Sequence, residues 1–351
     1  MAGWAVRGVQ LPFGDRADAW WINEAGVVGQ VPFDGADDLP GSFFFSGLVD
    51  AHAHPAVASG PAGPRARDIS ETGATLRAWA EAGVTCVRDV GSPGGVTLDL
   101  PADPRQPELL VAGRFLAPRD RYYADLLIEP VEEDHLVGAG LAELERGATW
   151  VKVIGDFPRV PDFIDTAPTY STRVIEELVR AVHAAGGRVA VHSTLPTVGD
   201  FVAAGVDSIE HGLALDELTL DEMAVRGTAW TPTFCAVFAA PDDPHTSAQR
   251  GQMLEGLKER MAELLPYAVA RGVPVLAGTD VVGSIPREVA LLAELGLEPA
   301  QALAAASDTA RTALGFAPHA ACIVTYANDP RSDPDVLNNP TAVVVMGSRI
   351  K

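Results

Sequence analysis

The sequence predicts an α/β protein, a (β/α)8 TIM barrel with a small discontinuous β-domain formed by both termini. Eight short β-branched runs recur between residues 47 and 280, and Ala/Leu/Glu-rich stretches separate most of them. Both ends of the chain are strand-rich instead. Up to residue 46, short apolar pieces (WAVRGVQL, AWWINEAGVVGQV, GSFFF) are cut by Gly, Asp and Pro, as in a set of short strands. The barrel strands are then expected at 47–54, 84–91, 108–116, 149–155, 188–193, 208–212, 228–234 and 273–280. The recurring junctions EAGV, ERGATW, AAGGRV, AAGVDS, VRGTAW and ARGVPV place a glycine where a helix ends and a strand begins. Glycine adopts the left-handed C-cap at no steric cost, which explains the repetition. Eight strand–helix units read as a barrel. SPGGVTLDLPADP, after the second strand, is a poor helix and the weakest unit. Strand character returns in ACIVTYAND and TAVVVMGSRI, and the last piece is expected to pair with the N-terminal strands. The expected division is residues 47–315 for the barrel, with 1–46 and 316–351 forming the small β-domain.

Composition narrows the function. Acidic residues number 47 and basic ones 26, a formal net charge of −21, which disfavours nucleic acid and anionic membrane surfaces as partners. No apolar run approaches the ~18 residues of a membrane span. The first residues lack a basic-then-apolar signal pattern, and Cys86, Cys235 and Cys322 are too few and scattered for a disulfide framework. A cytoplasmic protein with reduced thiols is expected. Its expected partners are a small-molecule substrate and, at most, further copies of the same chain.

Candidate chemistry concentrates at strand ends. His52 and His54 end the first strand, Lys152 lies in the fourth, His192 and His211 end the fifth and sixth, and Asp280 ends the eighth. Strand C-terminal ends form the active face of a barrel. Singly, each has an ordinary explanation: a core histidine, a helix N-cap for Asp280, a lysine snorkelling out of a strand end. Jointly they converge on one rim as a metal site. Imidazole and carboxylate suit zinc. A lysine suits it once CO₂ has added to the amine, giving a carbamate whose two oxygens bridge two cations. Two metals then share the work of activating water and polarising a carbonyl.

GLVDAHAHP, AGVTCVRDVG, GATWVKVIG, VIEELVRAVHAAGGRVAVHS, AAGVDSIEHGLALD, WTPTF, VLAGTD and LEPAQALAAASDTARTALGF together resemble the amidohydrolase superfamily of metal-dependent hydrolases. Within it, they are similar to the branch holding zinc prolidases and imidazolonepropionase-related proteins. The resemblance implies that His52, His54 and Asp280 bind a first zinc and His192 and His211 a second. It implies Lys152, as the CO₂-derived carbamate, bridging both, and Asp280 as the catalytic proton shuttle. Tyr170, in TYSTRVIEEL, matches a Tyr-Ser that reaches a substrate carbonyl or carboxylate in prolidase-like relatives; Ser171 alone is explained as an N-cap. Arg119, Arg121, Tyr122 and Tyr123 follow the third strand as further substrate-binding candidates, since Arg clamps carboxylates. Ser46 replaces the family's proline. APRDRYYADLLIEP and GDFPRVPDFID, with Asp156 and Phe157, also depart from the family pattern in two loops expected to line the pocket. Arg88 and Asp89 are expected to form a buried ion pair. His135, His183, His245 and His319 match no motif.

The expected activity is hydrolysis of an amide-type C–N bond on a binuclear zinc centre, with a dipeptide or a cyclic amide as candidate substrates. The alternatives are a mononuclear-zinc deaminase or cyclic-imide hydrolase, and a lyase or decarboxylase on the same scaffold. A purely structural scaffold is disfavoured, because it needs no such ligand set.

Overall fold

Strand and helix alternate from Leu48 onward and build a curled parallel sheet wrapped by helices, a mixed α/β fold. The computed structural model describes residues 3–23, 28–32, 34–60, 63–238, 248–316 and 321–351. Leu48–Ala53 pairs in parallel with Val84–Asp89, which pairs with Glu108–Val111. Phe115–Leu116 continues that third segment and pairs with Trp150–Ile154. Arg188–Ser193, Ser208–His211 and Ala229–Thr231 follow in parallel order.

Residues 273–280, expected as a regular strand, join only through bridges between Trp230 and Val275 and between Ala53 and Asp280. Pro274 brings no N–H. The amides of Val49 and Ala277 are taken by the carbonyls of Ala306 and Ala305, which interrupt the ladder. Further along, Asp280 N–H donates to the His52 carbonyl at 2.7 Å, so the end of this segment is held against the first strand.

The helices start and stop where their caps dictate. Ile69–Glu81 begins with a capping box between Asp68 and Glu71. Thr172–Ala184 begins on the Ser171 side chain and buries Val174, Ile175, Leu178, Val179 and Val182, a helical spacing that makes one apolar face. Gly205 and Gly227 end their helices in the left-handed conformation, with φ of 90° and 75°. Pro93–Asp99 is a 3₁₀ segment, kinked at Gly94 and Gly95, in place of a full helix. Among the described residues no helix is long and apolar enough to cross a membrane.

Alternation along each strand separates two environments. Val87, Val151, Val153, Val189, Val191 and Ile209 pack outward in the main core. Cys86, Trp150, Ala190 and Ala229 form a second cluster with Leu314 and Phe316. Two residues further along these faces stand Arg88, Lys152, His192 and Thr231.

The strands from both ends form one sheet. Its order is Ser348–Arg349, Ala342–Val345, Ile323–Tyr326, Phe43–Phe45, Trp4–Gln10, Ala17–Ile22 and Val28–Gly29, with Asp37–Asp38 beside Trp4–Gln10. The C-terminal strand that meets the N-terminal ones is Ile323–Tyr326, through Val324 opposite Phe45. The final piece, expected in that role, pairs with Ile323–Tyr326 instead.

One buried carboxylate couples this scaffold to the rim. Glu288, in the helix Ile285–Glu294, accepts the N–H groups of Phe234 and Cys235 at 2.8 and 2.7 Å. Those amides follow Thr233, which touches His211. Burial pushes the Glu288 carboxyl up to about 7, although the two N–H groups resist. A carboxyl raised on folding binds its proton more tightly in the folded state. Its contribution to stability is therefore lost as pH rises from 4.5 through about 7. Glu288→Gln cannot ionise, so its unfolding free energy relative to the wild type should climb between about pH 5 and about pH 8. Urea melts at several pH values measure this, and a constant gap would contradict it.

Candidate active site

The floor of the site is built at the strand ends. His52, His54, Lys152, His192, His211 and Asp280 all line one cavity of about 350 Å³. His52, His211 and Asp280 each present a potential ligand atom, and these lie within 4.8 Å of one another. Gly278 makes room for this. A Cβ there would meet the His52 Cβ at 2.6 Å and Thr231 Cγ2 at 2.7 Å.

Hydrogen bonds assign the imidazole tautomers. His54 Nδ1 lies 2.8 Å from the Gly91 carbonyl and donates to it. His52 Nδ1 lies 2.5 Å from Glu210 Oε2, an acceptor when ionised. Thr233 Oγ1 gives its hydrogen to the Pro232 carbonyl and so accepts from His211 Nδ1 at 2.6 Å. All three rings keep the Nε2 lone pair. The His54 and His52 Nε2 atoms face Asp280 Oδ1 at 3.3 and 3.8 Å. Lone pairs then oppose a carboxylate oxygen, an arrangement that a shared cation resolves. The outer Nδ1 bonds to carbonyl and carboxylate are those that orient metal-binding histidines.

Burial keeps His52, His192 and His211 neutral, as ligands must be. It presses His52 down to about 3, with Lys152 adding to the effect and Glu210 opposing it. It lowers His211 to about 4 and His192 well below 6.5. Lys152 does not snorkel: it is 1% exposed and its Nζ has no hydrogen-bond partner among the described residues. Burial draws its ammonium down to about 8 against the pull of Glu210. Nor does Asp280 act as a helix cap, since the next helix begins at Ile285 on the Ser284 side chain. The donor set and the orphaned, buried amine fit divalent metal ions.

Glu210 escaped the sequence reading. It is fully buried, between His52 and the Arg88 guanidinium, whose Nη2 donates to Oε1 at 2.7 Å. Burial alone would raise its carboxyl, but Arg88 and then His52 hold it well below the usual range. Arg88 also donates to the Ala51 carbonyl at 2.6 Å and stacks 4.5 Å from the Trp150 ring centre. The expected Arg88–Asp89 pair is therefore absent. Adjacent strand residues point to opposite faces, and Asp89 instead accepts from Thr97 Oγ1. The available signal for Glu210 was its position two residues after Ser208 in the strand Ser208–His211, which puts both on one face.

The substrate-binding candidates separate. Tyr122 and Tyr123 line the cavity with Phe157, their rings packed 5.1 and 5.4 Å from it. Arg121 lies behind this wall and donates to the carbonyls of Phe157 and Asp165 at 2.9 and 2.8 Å. It thereby clamps the hairpin Asp156–Arg159/Ile164–Pro168. Arg119 is exposed, and its amide donates to Glu132. Tyr170 is buried away from the cavity, with its hydroxyl given to the Val131 carbonyl at 2.7 Å. Asp156 accepts from Ser193 and Thr194 and braces the turn after His192. His183 pairs with Asp207 and His135 with Asp134, both away from the site. His245 and His319 lie outside the described residues.

No model of a known family matches the sequence. Uncharacterized proteins of Mycobacterium tuberculosis and Mycobacterium bovis are 33% identical over 359 aligned residues, 97% of this chain and 94% of each relative. The chain belongs to the family of these mycobacterial proteins. Its fold is shared by several solved structures. A Xaa-Pro dipeptidase with bound methionine superposes with a TM-score of 0.80 at 20% identity, covering 100% of both chains. The ochratoxinase of A. niger gives 0.81 at 18% identity over 100% of this chain and 96% of its own. An amidohydrolase gives 0.78 at 22% identity over 99% of both.

Within this fold, Glu210 is expected to hold His52 in its ligating tautomer. Glu210→Ala strands Arg88 in the interior and should cost about 3–5 kcal/mol of stability. Glu210→Gln keeps the volume and one acceptor. It should stay folded while zinc affinity falls about 10–100-fold, measured by competition with a chromogenic chelator. Wild-type zinc affinity in Glu210→Gln would show that His52 does not depend on this carboxylate.

Proposed function

We propose that this protein is a metal-dependent hydrolase that cleaves an amide-type C–N bond of a small molecule. The observation that carries this reading is the floor of the cavity. Four histidines, one carboxylate and one lysine without a hydrogen-bond partner among the described residues converge there. His52, His54 and Asp280 would hold one zinc ion and His192 and His211 a second, with Lys152 as a carbamate shared between them. When bound, zinc supplies Lewis-acid polarisation of a carbonyl and brings the pKa of water down from 15.7 to about 7.

The chain's own groups perform the rest. Asp280 has a carboxylate oxygen to spare, and it takes a proton from the attacking water. As the C–N bond breaks, the same carboxyl returns that proton to the leaving nitrogen. Tyr122 and Tyr123 present hydroxyls from the wall, and Phe157 beside them excludes water. The names of further neighbours on this fold, molinate hydrolase, phenylurea hydrolase B and bottromycin amidohydrolase, support hydrolysis as the reaction class.

The architecture is read in the same terms. The eight parallel segments between residues 47 and 315 make a closed (β/α)8 barrel. Residues 1–46 and 316–351 make one small β-domain. The return of residue 280 to Ala53 and the shared terminal sheet support this reading.

Purified protein should carry about two zinc ions per chain, and one ion would contradict the binuclear reading. Chelation should abolish turnover of whichever amide a screen identifies, and added zinc should restore it. Asp280→Asn should lose about 10²–10⁴-fold in kcat while keeping most of its metal. Turnover that survives both treatments would overturn the proposal.

A further inference from the structure

Among the described residues, the wall of the cavity differs from its floor in offering no lysine or arginine to an anion. We propose that the cavity takes neutral amides with apolar or aromatic substituents and disfavours substrates bearing a free carboxylate, the simple dipeptides included. The chemistry rests on the hydrolase reading above, whereas the binding preference rests on the lining alone.

The wall consists chiefly of Tyr122, Tyr123, Leu126, Phe157 and Val281. Its rings form a continuous apolar face, since Tyr122 packs on both Phe115 and Phe157, and Phe157 reaches His192 at 5.7 Å. Lys152 is the one Lys or Arg among the described lining residues, and it is sunk in the floor beside the reacting position. The arginines that sequence reasoning put at the substrate are not available. Arg121 has its Nη1 committed to two backbone carbonyls, and Arg119 does not line the cavity. The residues outside the described set include no lysine or arginine.

A substrate carboxylate lying along this wall would shed its water against aromatic rings without a guanidinium or ammonium to replace it. Burying a charge unpaired is far costlier than burying an amide that finds one hydrogen bond. Hydroxyls remain for a neutral group. Burial pushes the Tyr122 phenol well above 10, with Asp280 adding to the effect, so it stays protonated as a donor. Tyr123 is raised for the same reasons. Such donors suit the carbonyl of an amide, urea or carbamate. The overall charge of −21 further disfavours anionic ligands approaching from solution.

The test uses matched pairs that differ only in carboxylate against carboxamide. These are 4-benzamidobenzoate with 4-benzamidobenzamide, and N-benzoyl-L-phenylalanine with its primary amide. Kd is measured by calorimetry on the zinc-loaded Asp280→Asn variant, and kcat/KM on the zinc-loaded wild type. The neutral member should bind at least about 10-fold more tightly and, where turned over, show a kcat/KM at least about 10-fold higher. Leu126→Arg, which places a cation on the wall, should narrow or reverse the ratio. Neutral preference without turnover of either member would sustain this inference and count against the hydrolase reading. Equal or tighter binding of the carboxylates, no measurable binding of either member, or a ratio unmoved by Leu126→Arg would overturn it.

Discussion

A charge buried in the middle of the sheet's interior governs the rest of this structure. Arg88 is 0% exposed and lies over Trp150, so it has to be neutralised where it stands. Glu210 does that, and its second oxygen is then fixed opposite His52 Nδ1. An interior ion pair of this kind is a poor investment in stability, because an apolar replacement of equal volume is often as stable or more so. Its consequence is positional. One imidazole is locked with its other nitrogen facing the cavity, at the depth where His54 and Asp280 also arrive.

Backbone strain is concentrated in the same place. His211, Thr233 and Asp280 have φ of 67°, 52° and 59°, in the left-handed region that L-residues avoid. Each such residue costs on the order of 1–3 kcal/mol and persists only where its surroundings over-determine it. Here the supports are visible. Thr233 precedes the amides clamped by Glu288 and bonds to His211, while Asp280 N–H is tied to the His52 carbonyl. The strain turns side chains at the ends of separate strands toward one point.

The residues gathered on the cavity floor were legible because each sits in a short local pattern at a strand end. Glu210 was not, because its meaning depends on Arg88, 122 residues away in sequence and adjacent only across the interior. The Arg88–Asp89 expectation failed on pleat geometry, since neighbours in a strand cannot share a face. Tyr170 was expected at the substrate from the Tyr-Ser pattern, but its hydroxyl belongs to the Val131 carbonyl, a contact that no local pattern reveals. The last parallel segment read as a strand from its apolar run. The two alanine carbonyls that interrupt its ladder come from a helical region about 30 residues later in the chain.

The central claim is that His52, His54 and Asp280 form one arm of a metal centre, set by the Arg88–Glu210 pair. Anomalous diffraction at the zinc edge, from crystals grown with zinc, tests it most directly. The account predicts a peak at about 2.0–2.1 Å from Nε2 of both His52 and His54, with an Asp280 oxygen in the same shell. Ordered zinc elsewhere in the protein, with no peak among these three residues, would contradict it.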